Sequence, residues 1–382
     1  MRQLRKLAAG IAVAAAVAVT ASAVPALADP TTSAGKPVVP GTIDIVSVGA
    51  NTDENLFNAL SGAWDKTISA KQHSAAHPYI YSWNATVPGS TSPAKVTIKQ
   101  VKKGCAAITR PNGSGAGLTA LDESQKIDKT VYCVDFARSS SGRSATSPAP
   151  KVGGVGYVAL ATDAVTWAVR DTGATKTVPA SYAPKTLTTA DLKGIFDCSI
   201  RNWSKVGGAN EPIKAYLPQS GSGTLSFWLK KLGLTAPGSC APEILEENQG
   251  LSPQFNSPNA IFIYSVADWV AQKYHSPLAG KKATASQNQF GTDQVGFLGL
   301  GKINGVAPLT TAKVPTINKA FKATGFTRTI YDIVRYSATA DHVPAYLDKF
   351  LGHKGYFCAN KTAIGLLEDY GFLTTATCGS IS

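Results

Sequence analysis

The chain has 382 residues, with 37 Lys and Arg against 24 Asp and Glu, a formal charge of +13, and 44% apolar residues. That length is too great for one simple core and suits two lobes of ordinary domain size with a cleft between them. The positive balance favours anionic surroundings, but nucleic-acid binding is excluded: it calls for a localised basic cluster with interleaved aromatics, and the longest basic groups are the pairs Lys102-Lys103, Lys230-Lys231 and Lys281-Lys282, which read as solvated faces.

Residues 1–28 read as a secretory signal: Arg2, Arg5 and Lys6 precede an Ala- and Val-rich run, and Ala26-Leu27-Ala28 supplies small residues before Asp29. Gly10, Thr20 and Ser22 interrupt the run, which argues against a membrane anchor. Three of the 37 basic residues and none of the 24 acidic ones fall there, so the mature chain carries +10. No cysteine follows the run, so no lipid-anchor cysteine is expected, and the mature protein is expected to be secreted, extracellular or cell-wall associated. Residues 29–41, rich in Pro, Thr and Gly, read as a flexible leader.

Ile43, Ile45, Val46 and Val48 form a β-prone run, followed by the loop Gly49 to Asp53 and by Phe57, Leu60, Trp64 and Ile68 at helical spacing. The β-prone segments Val134-Asp135-Phe136-Ala137 and Ile213 to Leu217 come next, the second leading to a helix marked by Leu225, Trp228, Leu229 and Leu232. Alternation of this kind predicts α/β lobes with largely parallel sheets. Gly153 to Leu160 suits either a buried strand or a strand passing between lobes. Thr329 to Arg335 alternates as a strand returning to the first lobe, with helical spacing after it at Tyr346 and Phe350 and at Ile364 and Leu367. No repeat of 20 to 50 residues is evident, which excludes a solenoid.

The six cysteines, an even set in an exported chain, predict three disulfides. The pairing expected is Cys105-Cys133, Cys198-Cys240 and Cys358-Cys378, since each closes a short loop within one segment. Zinc has no support, because no Cys-x-x-Cys or paired-His spacing occurs, and neither a metal nor a cofactor is expected.

Three loops share one design, a β-prone run followed by small and hydroxyl residues at the start of a predicted helix: Gly49 to Asp53, Gly113-Ser114-Gly115-Ala116-Gly117, and Ser220-Gly221-Ser222-Gly223-Thr224. Glycines such as Gly115 and Gly223 let backbone N–H groups approach an oxyanion, a helix N-terminus adds unpaired donors, and Thr52, Ser114, Ser222 and Thr224 add hydroxyls. One such loop is ordinarily a cap; three together point to an anion site. Arg138, followed by Ser139, Ser140 and Ser141 at a strand end, is the leading candidate for a charged ligand contact, with a structural ion pair as the alternative. Neither Gly-rich run continues into Gly-Lys-Ser or Gly-Lys-Thr, no Gly-x-Ser-x-Gly elbow occurs, and His73 and His77 lack the glutamate of a metalloprotease helix, so no enzyme is expected.

The order of these motifs resembles the phosphate-specific solute-binding proteins of ABC import over nearly the whole mature chain. The resemblance rests on Gly113 to Gly117, Val134 to Ala137, Ile195-Phe196 with Ile200-Arg201-Asn202-Trp203, Ser220 to Thr224 (similar to the family's Asp-Gly-Ser-Gly-Thr), and Val295-Gly296-Phe297 (similar to its Ile-Gly-Tyr strand). It implies a periplasmic-binding-protein-like α/β fold with mixed sheets, lobe 1 built from 42–157 plus 304–382 and lobe 2 from 158–303, and a ligand cleft between them. It implies that Thr52, Ser114, Ser222, Gly223 and Thr224 donate hydrogen bonds to a small oxyanion, phosphate first, in a monomeric extracellular protein that serves an importer's membrane subunits. Ser140 stands where the family has an aspartate and Pro218 where it has an arginine, so sulfate, a phosphonate or a neutral solute on the same scaffold is the alternative, as is a wall-associated or adhesive protein without transport.

Overall fold

The structure is a computed structural model that describes residues 29–30, 37–87, 96–129, 131–143, 154–247, 249–275, 294–335 and 343–382. The expected signal, 1–28, and residues 31–36 of the leader lie outside them. In chain order the elements are β1 (Ile45–Gly49), α1 (Glu54–Asp65), β2 (Ile80–Ser82), β3 (Thr97–Ile98), β4 (Ile108–Thr109), α2 (Ser114–Asp122), β5 (Phe136–Ser139), β6 (Val155–Arg170), β7 (Thr186–Leu187), α3 (Thr189–Phe196), β8 (Lys214–Ala215), β9 (Leu217–Pro218), α4 (Gly223–Leu232), β10 (Glu243–Leu245), β11 (Ala260–Ser265), α5 (Val266–Tyr274), β12 (Leu298–Leu300), β13 (Lys302–Ile303) and β14 (Thr327–Arg335). Helices Ala345–Leu351, Tyr356–Ala359 and Lys361–Asp369 close the chain. No helix among the described residues is long and apolar enough to cross a membrane.

β1 is buried along its whole length and pairs in parallel with β2, Ile45 facing Ile80, and with β5, Ser47 facing Phe136. Parallel neighbours need crossover connections, and α1 and α2 supply them. α1 buries Leu56, Phe57 and Leu60 against this sheet because they recur at helical spacing, and the C-terminal helices add Leu347, Phe350, Phe357 and Leu367 to the same core. A second core gathers Trp167, Phe196, Trp203, Trp228, Ile261 and Ile263 between β6, β11, α3 and α4. Ile317, Phe321 and Phe326 also pack in this second core, on the far side of the lobe boundary expected at residue 304.

β6 serves both cores. It contributes Val158 and Leu160 to the first and Val165 and Trp167 to the second, so the expected strand at Gly153 to Leu160 is, from Val155 on, the opening of a 16-residue strand that continues through to Arg170, while Gly153 lies outside the described residues. β14 lies antiparallel to both β5 and β6 and carries Ile330 and Val334 into the first core. The principal sheet therefore runs β2-β1-β5-β14-β6-β11-β8 with β12 also on β6, and it is mixed rather than largely parallel because these long strands run antiparallel to each other. Val295-Gly296-Phe297, read as strand-like, instead forms the turn into β12: Gly296 has φ 55°, and a Cβ there would lie 2.5 Å from the Gly250 carbonyl oxygen.

The three expected disulfides are present, with Cα–Cα separations of 5.9 Å for Cys105–Cys133, 5.8 Å for Cys198–Cys240 and 5.6 Å for Cys358–Cys378. Each lies in the ordinary range for a bridge and ties neighbouring segments rather than distant ones.

Candidate functional site

The site is assembled from the ends of strands and the starts of helices. β1 ends at Gly49, whose φ of 122° and close approach to β5 (a Cβ would lie 2.5 Å from the Arg138 carbonyl oxygen) turn the chain into the loop that carries Thr52 to the start of α1. Gly113, with φ 92°, makes the corresponding turn before Ser114 opens α2. Ser222 caps α4 by accepting a hydrogen bond from the Leu225 amide at 3.0 Å.

These pieces meet. Thr52 Oγ1 and Thr224 Oγ1 are 3.4 Å apart, although 172 residues separate them. Ser114 Oγ lies 3.3 Å from Ser140 Oγ and accepts from the Ser140 amide at 3.0 Å. Gly223 stands between the two groups: a Cβ on it would fall 2.4 Å from Ser140 Oγ, 2.5 Å from Ser114 Oγ and 3.0 Å from the Ser141 amide nitrogen. Only a residue without a side chain lets the start of α4 come so near. Thr52, Ser114, Ser140, Ser222 and Thr224 are all buried.

The structure therefore brings Thr52, Ser114, Ser140, Ser222, Gly223 and Thr224 together. Gly115 lies beside them, but its amide donates to the Gly221 carbonyl at 3.3 Å, a bond between the α2 and α4 loops. Ser139 turns aside and donates to the Ser141 carbonyl at 2.7 Å. Arg138 also faces elsewhere. Its side chain is fully buried, with Nε donating to the Ala50 carbonyl at 3.1 Å, Nη1 to Ser82 Oγ and Nη2 to the Trp83 carbonyl at 2.9 Å, while Asp53 lies 3.7 Å from Nε. None of these bonds reaches the hydroxyl cluster. Arg138 is thus the structural ion pair that the sequence left as its alternative, and it buttresses the loop that presents Thr52.

The guanidinium at the site belongs to Arg328, on β14. Its Nη2 donates to Thr224 Oγ1 at 2.9 Å and approaches Thr52 Oγ1 at 3.4 Å. The same guanidinium holds Asp163 Oδ2 on β6 at 2.8 Å from Nη2 and 3.0 Å from Nε. Burial pushes the Asp163 carboxyl above its usual range and Arg328 opposes that rise. The charge that Pro218 does not provide comes instead from another strand.

A carboxylate completes the cluster. Glu247 Oε2 accepts from Thr52 Oγ1 at 2.8 Å and from Thr224 Oγ1 at 2.9 Å, and Oε1 accepts from Ser222 Oγ. Next to it, Glu246 accepts from Asn112 Nδ2 at 2.7 Å, and Asn112 Oδ1 accepts from Gln219 Nε2 at 3.1 Å. Burial pushes Glu246 up to about 7, opposed by the Asn112 hydrogen bond and reinforced by the charge of Glu247.

Sequence reasoning missed Arg328, Asp163 and Glu247. Charged residues inside otherwise apolar strands were the available signal for the first two, since a buried charge has to be paired. Glu247 follows β10 in no recognisable motif.

Residues 65–351 match the family model of a PBP superfamily domain. Among solved structures, the chain is similar to a substrate-binding protein assigned to phosphate ABC transport, with bound phosphate, from Clostridium perfringens, at 14% identity over 87% of this chain and 99% of that one, with a TM-score of 0.55. It is also similar to an ABC-type phosphate transport receptor from Vibrio cholerae, at 16% identity over 87% of this chain and all (100%) of that one, with a TM-score of 0.51. At such identities the likeness establishes the two-lobed fold. Among curated proteins, none shows significant sequence similarity.

Proposed function

Since the chain belongs to the PBP superfamily, matched over residues 65–351, we propose that it is an exported solute-binding protein that captures a small oxyanion, phosphate first, and delivers it to the membrane subunits of an ABC importer. One observation carries this reading: the starts of α1, α2 and α4 meet around a buried cluster of hydroxyls with the Arg328 guanidinium against it. Helix starts offer unpaired N–H groups and the positive end of the helix dipole, hydroxyls offer donors, and a guanidinium offers charge-assisted ones. Together they suit a compact anion with several acceptor oxygens. The two similar structures are a phosphate ABC transporter binding protein and a phosphate transport receptor, which makes phosphate the first ligand to try.

The function involves no covalent step. Thr52 and Ser114 come from one side of the cleft and Ser222 and Thr224 from the other, so capture and release follow closing and opening of the lobes. In this reading the first lobe comprises 42–157 with the chain from β14 onward, the crossing falls within β6, whose Val158 and Leu160 pack in the first core and Val165 and Trp167 in the second, and the second lobe extends to Phe326, whose ring packs in the second core. The protein works as a secreted monomer.

Calorimetry of the mature protein against phosphate, sulfate, a phosphonate and a panel of neutral sugars tests the proposal. Binding of phosphate that Thr224→Val abolishes is the expected result. Binding of a neutral solute alone overturns the anion reading.

A further inference from the structure

We propose that Glu247 is an internal competitor for the anion site and thereby sets which anions this protein captures. The inference rests on the oxyanion reading above and adds a residue that opposes binding.

Each hydroxyl has a single hydrogen to donate. Those of Thr52, Ser222 and Thr224 all go to Glu247: Thr52 and Thr224 to Oε2 at 2.8 and 2.9 Å, and Ser222 to Oε1. With the carboxylate in place, none of the three has a hydrogen left for a second anion, and a second negative charge beside the first is repelled. The carboxylate is also buried, so it sits inside the cluster rather than at its rim. Because it joins Thr52 on one lobe to Ser222 and Thr224 on the other, it makes the bridging contacts that a captured oxyanion makes in a clamp.

Binding an external anion therefore requires Glu247 to leave. A carboxylate on the same chain acts at a high effective concentration, of the order of millimolar or above. A free monocarboxylate offers nothing that Glu247 lacks and does not displace it. A tetrahedral oxyanion carries additional oxygens that reach Ser114 and Ser140, whose hydroxyls face each other at 3.3 Å and are not among Glu247's hydrogen-bond partners. The competitor thus rejects small carboxylates and admits only anions that use both halves of the cluster.

The test is calorimetric titration of inorganic phosphate into the mature wild type, Glu247→Ala and Glu247→Gln, with thermal melts to confirm folding. Glu247→Ala is expected to bind phosphate at least ten-fold more tightly than wild type and to gain measurable acetate binding. Glu247→Gln, which keeps the shape and loses the charge, is expected to lie between them, and it decides the matter if the alanine variant does not fold. Phosphate binding that is unchanged or weaker in both variants overturns the competitor and leaves the anion reading standing. Absence of phosphate binding in wild type and both variants overturns the anion reading, and the competitor with it.

Discussion

Arg328 Nη2 lies 2.9 Å from Thr224 Oγ1 while the same guanidinium grips Asp163 at 2.8 Å, so one side chain on β14 links β6 to the first turn of α4. It has two duties, charge for the site and neutralisation of a buried carboxylate. Arg328→Met is expected to weaken phosphate binding by roughly ten- to a hundred-fold, since hydrogen bonds to charged groups contribute about 1.5–3 kcal/mol each. It also strands Asp163 and is expected to cost about 3–5 kcal/mol of stability. Arg328→Lys keeps the charge but loses the fork, and restores stability in part only. Calorimetry and urea unfolding separate the two effects.

Gly223 is expected to set how near the start of α4 comes to Ser114 and Ser140. A methyl group there would meet Ser140 Oγ at 2.4 Å and the Ser141 amide nitrogen at 3.0 Å, and the backbone atom cannot rotate aside as a hydroxyl can. Alanine is itself favourable in a helix. Gly223→Ala is therefore expected to leave the melting temperature nearly unchanged, to raise the radius of gyration in small-angle scattering, and to reduce phosphate affinity. An unchanged radius with unchanged affinity refutes the role assigned to this glycine.

Arg138 is expected to matter for folding and not for the ligand. Its donors are spent on Ala50, Ser82 and Trp83, and Asp53 is its near carboxylate. Arg138→Ala leaves those groups buried and unpaired, a loss of about 3–5 kcal/mol by urea unfolding. Phosphate affinity of the folded fraction stays within a few-fold of wild type.

Asp53 gives stability a pH dependence. Burial, outweighing the attraction of Arg138, raises its carboxyl from 3.8 to about 7, with Arg328 lowering and Glu247 raising it further. Between those values the unfolded chain has released the proton and the folded protein still holds it, so stability falls as pH rises from about 4 towards 7 and levels off above. Asp53→Asn removes this part of the slope. The variant is expected to gain stability over wild type at pH 8 relative to pH 5 in paired urea melts; an identical difference at both pH values contradicts the assignment.

The disulfides close loops with sequence separations of 28, 42 and 20 residues. Alkylation without reductant is expected to modify no cysteine. Removing either partner of Cys198–Cys240 is expected to cost about 2–5 kcal/mol.

Much of this was legible in the sequence because it was local. The α1 stripe, the Gly-hydroxyl loops and the short disulfide loops each depend on residues close together in the chain, where spacing and turn chemistry speak directly. The convergence of Thr52, Ser114 and Thr224 was visible only as three copies of one design. Arg328, Asp163 and Glu247 were hidden because their roles arise from β14, β6 and the loop after β10 being brought together, and no spacing encodes that. The two readings of Arg138 stayed open in the sequence for the same reason: a cation at a strand end gives no sign of which way its side chain turns.

The most direct test is a crystal structure of the mature protein grown with phosphate. The ion is expected between the starts of α2 and α4, within hydrogen-bonding distance of Thr52, Ser114, Ser222, Thr224 and Arg328, with the Glu247 carboxylate withdrawn from those hydroxyls. Phosphate bound away from this cluster, or a cluster that still holds Glu247 at saturating phosphate, would contradict it.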